Sequence, residues 1–197
     1  MKYKSSSTTI PFDRREEINN KILDYISLSK LPEPLTPEDI YNAYTGVGGL
    51  HGLERSQFPT FHEYTQGKKE IEQGQFLTPD TIVSSMVKFL PVHNNDLIAD
   101  LTFGTGRFFN YFNEKNCYGC EIDFDAYRVA KFLFPESKLE NIDIRFYKPN
   151  IKFDIIIGNP PFNLRWDLDG RNYLSQFYFA LKAYELLHAG GLLYLLS

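Results

Sequence analysis

Residues 154–163, Asp-Ile-Ile-Ile-Gly-Asn-Pro-Pro-Phe-Asn, carry an apolar run directly into Asn159, Pro160, Pro161 and Phe162. Two consecutive prolines have no backbone N–H to donate and end any strand that reaches them. What remains is a side-chain amide, two rigid carbonyls and an aromatic ring. That set is either a stiff turn capping a buried strand or a clamp for something flat and polar.

A second constellation lies upstream. Asp100-Leu-Thr-Phe-Gly104-Thr-Gly106 sits where a short apolar strand turns into an aromatic-rich helical segment. Glycines at such a junction let the backbone approach a ligand, and the helix N-terminus adds partial positive charge. Glu121 ends the next apolar stretch roughly 20 residues on, where an acidic side chain can take both hydroxyls of a ribose. No third glycine follows at the dinucleotide offset. An aspartate ahead of the glycines also suits a cationic amino-acid group better than a pyrophosphate. Together these features favour a nucleoside with an amino-acid tail.

Two other patterns carry less chemistry. Cys117 and Cys120 form a Cys-x-x-Cys, but a structural zinc takes about four ligands, and His51, His62, His93 and His188 lie far apart. Burial in a strand is the expectation, with no metal site. The stretch from Thr45 to Gly52, TGVGGLHG, lacks the Gly-Lys-Ser/Thr ending of a phosphate loop and follows no apolar strand, so it reads as loop.

The elements that must hold these groups follow from periodicity. Residues 1–11 read as a loose tail. Residues 13–30 repeat Ile18, Ile22, Leu23, Tyr25 and Ile26 at helical spacing and end on Lys30. Thr36 as N-cap with Pro37 behind it starts a second helix reaching Tyr44, and residues 45–74 read mainly as loop with short helical pieces. Thr78 as N-cap, Pro79 and Asp80 open a helix to about Leu90. Strands are expected at 96–101, 117–123, 141–147 and 153–158, and a fifth begins at 192. Helices are expected after Gly106, over 124–134, and over 171–191, the last closed by Gly190-Gly191. Asp123 is a helix cap or a turn residue. Strands alternating with helices imply a doubly wound, mostly parallel sheet. The chain stops at Ser197, in its fifth strand, so a seven-stranded sheet would be incomplete at the C-terminus.

Composition sets bounds. The 197 residues suit one globular domain, residues 71–197, with a helical extension over 1–70. A net charge of -4 argues against autonomous tight binding of nucleic acid. No apolar run approaches the roughly 20 residues of a membrane span, and no apolar core follows the charged N-terminus as in a signal peptide. Two cysteines make no disulfide framework, so a cytoplasmic location and no membrane partner are expected.

The motifs QFLTP, DLTFGTGRF, GCEID, NIDI and NPPF stand here in an order and spacing that resembles the amino-group (N6-adenine) DNA methyltransferases. The resemblance is to the subgroup with cofactor motifs ahead of the catalytic one, as in modification subunits and Taq-like enzymes of restriction systems. It covers roughly residues 70–197. NPPF alone is shared with methyltransferases of RNA bases or protein glutamine; the preceding GQFLTP is more particular to the DNA enzymes.

The resemblance implies a Rossmann-like fold that binds S-adenosylmethionine. Phe76, Thr78 and Pro79 would hold its methionine end, and Asp100, Gly104 and Gly106 would line the amino-acid moiety. Glu121 would bind the ribose, Ile122 would pack on the adenine ring, and Asp143 would accept from the adenine amine. Leu101 replaces the commoner proline after the aspartate. The target amine of DNA adenine is a poor nucleophile because its lone pair is conjugated with the ring. The Asn159 oxygen and the Pro160 carbonyl would each accept one N–H and draw the nitrogen toward a tetrahedral shape. Pro161 would stiffen the loop and Phe162 would stack on a base flipped out of the duplex. Arg165 and Trp166 are placed to touch nucleic acid, or to sit in a solvated loop or the core.

Family members continue into further strands and a target-recognition domain. Sequence-specific methylation is therefore expected to need a C-terminal portion or a specificity subunit. Two other readings stand beside this one: an RNA-base or protein-glutamine methyltransferase, and a catalytically inactive cofactor-binding or regulatory remnant.

Overall fold

The computed structural model describes residues 1–6, 10–28, 35–47, 53–72, 75–161, 164–168 and 170–196. Phe162, Lys30, His51 and Ser197 lie outside the described residues. Helices α1 (Arg15–Leu28), α2 (Pro37–Ala43), α3 (Phe61–Glu72) and α4 (Asp80–Val87) precede the first strand. Then come β1 (Ile98–Asp100), β2 (Cys117–Glu121), α5 (Phe124–Leu133), β3 (Lys138–Asn141) and β4 (Phe153–Gly158). A hairpin, β5 (Arg165–Leu168) and β6 (Arg171–Leu174), leads into α6 (Ser175–Leu186) and β7 (Leu187–Leu195).

Five of these strands form one parallel sheet in the order β3-β2-β1-β4-β7, with β5 and β6 paired separately and antiparallel. The chain steps outward from β1 to β3 and returns to β4 on the other side of β1. The direction of winding therefore reverses between β1 and β4, and a crevice opens beyond their carboxyl ends. Apart from the half-buried Asp154, both strands are buried on both faces, so they carry the short apolar runs Ile98-Ala99 and Ile155–Ile157. On one face Val83 of α4 meets Ile98, Ile155 and Ile157, while α1, α2 and α5 pack around Cys117, Phe103 and Phe109. On the other, Phe179, Ala183 and Leu186 of α6 cover Ala99, Cys120 and Ile156. Each Val, Leu, Ile or Phe among them contributes roughly 1.5–3 kcal/mol on burial. Cys117 and Cys120 thus belong to opposite faces of β2, as their odd separation in a strand requires, and both are free thiols. Among the described residues no helix is long and apolar enough to cross a membrane.

The doubly wound fold agrees with the sequence reading, and several local expectations do not. Residues 2–3 are docked rather than loose: the Tyr3 hydroxyl donates to the Leu133 carbonyl at 2.6 Å, and the Tyr3 amide donates to Asn110 at 2.6 Å. A 12-residue helix, α3, lies within 45–74. The glycine loop is followed by 3-10 turns at Phe108–Tyr111 and Glu114–Asn116, because Phe108, Phe109 and Asn110 are all buried and no one helical face could bury all three. The third strand is Lys138–Asn141, ending where the expected strand, 141–147, would begin. It is an edge strand with little apolar content, and residues 143–147 turn instead, with the Arg145 amide held by the Asp143 carboxylate at 2.8 Å. The expected helix over 171–191 divides into β6, α6 and the start of β7. Gly190 (φ +87°) and Gly191 lie where β7 bulges between its Phe153–Leu187 and Ile155–Leu192 pairings. Thr36 caps α2 as read, in a capping box with Asp39. Thr78 caps nothing. Pro79 is the N-cap of α4, and its carbonyl accepts from Ile82 and Val83; the helix ends at Val87.

Candidate active site

Asp100 ends β1 and is 1% exposed. Burial raises its carboxyl to about 8, against the Thr102 amide that donates to Oδ1 at 3.0 Å, and nearby Glu121 adds to the rise. Neighbouring strands make room for it. A Cβ on Gly158, which ends β4, would lie 2.7 Å from Asp100 Oδ1. A Cβ on Gly119 of β2 would lie 2.2 Å from the Asp100 carbonyl oxygen. Only glycine fits at either place.

The loop that follows needs its glycines for conformation as well as space. Gly104 and Gly106 have φ of +55° and +80°, and a Cβ on Gly106 would meet the Phe134 ring at 2.9 Å. The Gly106 amide closes the turn onto the Phe103 carbonyl at 2.7 Å. Arg107 ties the loop outward, pairing with Asp80 at 3.5 Å and lying 4.1 Å over the Tyr41 ring. Glu121 ties it inward. Its Oε2 accepts from the Gly104 amide at 2.8 Å and its Oε1 from the Asp123 amide at 2.9 Å, while burial raises its pKa. Each oxygen keeps a lone pair for a ligand hydroxyl. Asp123 is the helix cap of α5, accepting from Ala126 at 2.6 Å. Ile122 beside it is 67% exposed.

Asn159 follows β4 directly. Its Nδ2 donates to Thr78 Oγ1 at 3.2 Å, and its Oδ1 is buried with no partner among the described residues. Thr78 is itself buried. Pro160 is buried and Pro161 half-buried. The Pro161 carbonyl accepts from the Ser175 hydroxyl at 2.7 Å, and the Ser175 amide donates to Leu164 at 2.8 Å. The first residue of α6 thus pins both sides of the loop.

Phe76, Thr78, Asp100, Gly104 and Asn159, expected from separate motifs, line one cleft of about 20 Å³. Its lining includes Thr105, whose buried hydroxyl also has no partner among the described residues. Leu77 lies across the glycine loop, 3.1 Å from where a Gly104 Cβ would be. Phe76, Leu77, Thr78 and Arg107 also wall a cavity of about 590 Å³, reached by Pro79 and, from the N-terminal segment, by Asn42 and Tyr44. Asp143 is paired instead with Arg145, whose Nε lies 3.0 Å from each carboxylate oxygen; that hydrogen bonding lowers its pKa. Arg145 lies over Trp166, which packs against Tyr178 and Phe179, so Trp166 is a packing residue and Arg165 is exposed. Sequence reasoning missed Gly119, Gly158 and Ser175 and misread Thr78 as a helix cap. Of these only Gly158, adjoining Asn159, carried a local signal.

An acid-ended β1, a second acid ending β2, a glycine loop between them and Asn-Pro-Pro after β4 define the Rossmann-like methyltransferase fold. The fold recurs in a protein described as a class I S-adenosylmethionine-dependent methyltransferase from Listeria monocytogenes, at 13% identity and a TM-score of 0.54 over 93% of this chain and 71% of that one. It recurs in a type I restriction-modification methyltransferase subunit from Streptococcus thermophilus, at 20% identity and a TM-score of 0.50 over 68% and 38% of the two chains. Within that class, the family model for N-6 DNA methylases matches residues 60–186, and the chain belongs to this family. It is 32% identical over 111 residues to the type II methyltransferase M.CvrRI of Paramecium bursaria Chlorella virus XZ-6E, covering 53% of this chain. The chain spans 28% of the length of that relative.

Proposed function

We propose that the chain carries the cofactor-binding and catalytic portion of an enzyme that methylates the N6 amine of adenine in DNA, using S-adenosylmethionine. The observation that carries this reading is the Asn159 Oδ1, a buried acceptor with no partner among the described residues, at the end of β4 in the cleft that holds Asp100. A buried polar atom without a partner is costly and marks a place for a ligand donor. Family membership supports adenine as the source of that donor.

The residues present fit the cofactor. Asp100 is a buried carboxyl whose charged form is further disfavoured by the acid Glu121, so it suits an ammonium. Glu121 suits the ribose hydroxyls, and the exposed faces of Phe76 and Ile122 suit apolar parts of the ligand. The cleft alone is far smaller than the roughly 300 Å³ a nucleoside site needs, so Leu77 and Phe76 give way into the adjoining cavity on binding. Residues 1–70 act as a helical cap over that cavity, which Asn42 and Tyr44 line. Gly106 shapes the loop and Pro79 holds the entry to α4; Asp143, expected to accept from the adenine amine, is held by Arg145 and would have to exchange that partner to do so. Bound S-adenosylmethionine supplies an electrophilic methyl on a sulfonium, whose sulfur leaves with the bonding pair as a thioether.

Asn159 Oδ1 and the Pro160 carbonyl each accept one N–H of the target amine. The nitrogen lone pair, freed from the ring, forms the new N–C bond, and the proton then leaves to solvent. Asparagine has no useful basicity, so this chain contributes positioning and electrostatics. Pro161 keeps the carbonyls rigid, and Phe162 is proposed as the stacking face for a flipped base. A target-recognition domain or specificity subunit would select the site in DNA. A cytoplasmic setting goes with the free thiols of Cys117 and Cys120.

Calorimetry with S-adenosylmethionine, then transfer of a labelled methyl to DNA, RNA or protein, tests this. Asn159→Ala should abolish transfer while cofactor affinity stays within about fivefold, since the amide is assigned to the amine and not to the cofactor. Cofactor affinity lost with the asparagine would overturn the division of roles. Labelled RNA or protein in place of DNA would overturn the substrate.

A further inference from the structure

We propose that Thr78 is a positioning residue that sets which end of the Asn159 side-chain amide faces the reacting amine. For its mechanistic purpose this rests on the methyl-transfer reading above; its geometry does not. The oxygen and nitrogen ends of an asparagine amide are alike in size, so packing does little to choose between them, and the hydrogen-bond partner decides. One orientation presents an acceptor to the target N–H. The other presents two donors, which would repel the amine's hydrogens.

In the structure one contact holds the first orientation. Asn159 Nδ2 donates to Thr78 Oγ1 at 3.2 Å, leaving Oδ1 buried and free. Thr78 is 7% exposed, so little water competes for that lone pair. It sits between Leu77, which lies against the glycine loop, and Pro79, whose φ of -60° and ψ of 142° set the entry to α4. Its hydroxyl therefore has a fixed origin. That hydroxyl has one proton and two lone pairs and could instead donate to a flipped Oδ1. Selection is complete only when the proton is occupied elsewhere. Thr78 lines the cleft that contains Asp100, so a carboxylate at the methionine end of a bound cofactor gives the proton an acceptor. Thr78 can then offer Asn159 nothing but a lone pair. Cofactor binding in this way prepares the amide before the base arrives.

The test is the mobility of the Asn159 side-chain NH2 in the full ¹⁵N-labelled chain, its signal assigned by its loss in Asn159→Asp. In the unliganded protein, Thr78→Val should lower the order parameter of this group to below about 0.6, where flexible groups lie, while Thr78→Ser retains the wild-type value. Adding S-adenosylmethionine should raise it in wild type and Thr78→Ser and leave it low in Thr78→Val. Against DNA, Thr78→Val should lose on the order of 100-fold in kcat with KM for DNA nearly unchanged, the loss expected when a catalytic group is misplaced. An NH2 group as ordered in Thr78→Val as in wild type would overturn the proposal. So would recovery in Thr78→Val on adding cofactor. Should wild type fail to bind S-adenosylmethionine in calorimetry, the methyl-transfer reading falls, and the unliganded comparison of Thr78→Val with wild type still decides the role of Thr78.

Discussion

With Asp100 receiving the ammonium of S-adenosylmethionine, as proposed above, cofactor binding becomes a proton-linked event. Its carboxyl is raised to about 8 by burial, with Glu121 adding to the rise. With that value roughly one molecule in ten carries the ionised form at pH 7. An ammonium needs the carboxylate, so binding should release about 0.9 proton at pH 7 and strengthen roughly ninefold from pH 6 to 7. The ligand's own α-amine begins to deprotonate about one unit below its pKa of roughly 7.7–8.0, so the useful window is pH 6 to 7. The assay is calorimetry with S-adenosylmethionine in buffers of low and high ionisation enthalpy; the difference in observed heat counts the protons. Asp100→Asn should abolish the release and weaken binding. Glu121 is also raised by burial, so any proton release that survives in Asp100→Asn belongs to it. The same shift has a stability consequence of opposite sense to an ordinary paired carboxylate. Between about pH 4 and 8 the folded state holds a proton that the unfolded chain has lost, so stability falls as pH rises through that window. Asp100→Asn should flatten that slope. A wild-type affinity independent of pH, with no buffer-dependent heat, would refute the reasoning.

Gly158→Ala should place a methyl 2.7 Å from Asp100 Oδ1, cost about 1–3 kcal/mol in thermal unfolding, and weaken cofactor binding more than tenfold in calorimetry. Ser175→Ala removes the donor to the Pro161 carbonyl and should cost about 1 kcal/mol in denaturant unfolding, with methyl transfer slowed more than cofactor binding is weakened.

Much of the architecture was legible because burial on both faces leaves an unmistakable apolar signature. Residues 153–158 had no alternative to a central strand, and Thr36-Pro37 announced a helix start by local hydrogen bonding alone. Boundaries failed where tertiary pairing overrode local pattern. Residues 187–191 continue a helical-looking run but already belong to the strand that pairs with β4, and the edge strand β3 has too few apolar residues to announce itself.

The site divides along the same line. By itself the sequence determined the types of group available: an acid before a glycine loop, a second acid after the next strand, and an amide followed by two prolines. These depend on covalent chemistry and local backbone geometry, which travel with the residues. Only the tertiary structure decided that Asp100 and Asn159 end strands flanking the same reversal of the sheet, and that Gly158 makes the space for the acid. It alone brought Thr78, 81 residues away, to the Asn159 amide, and Ser175 to the Pro161 carbonyl. The physical reason is that a side chain's environment is set by what folds against it, and sheet order, not spacing along the chain, determines that.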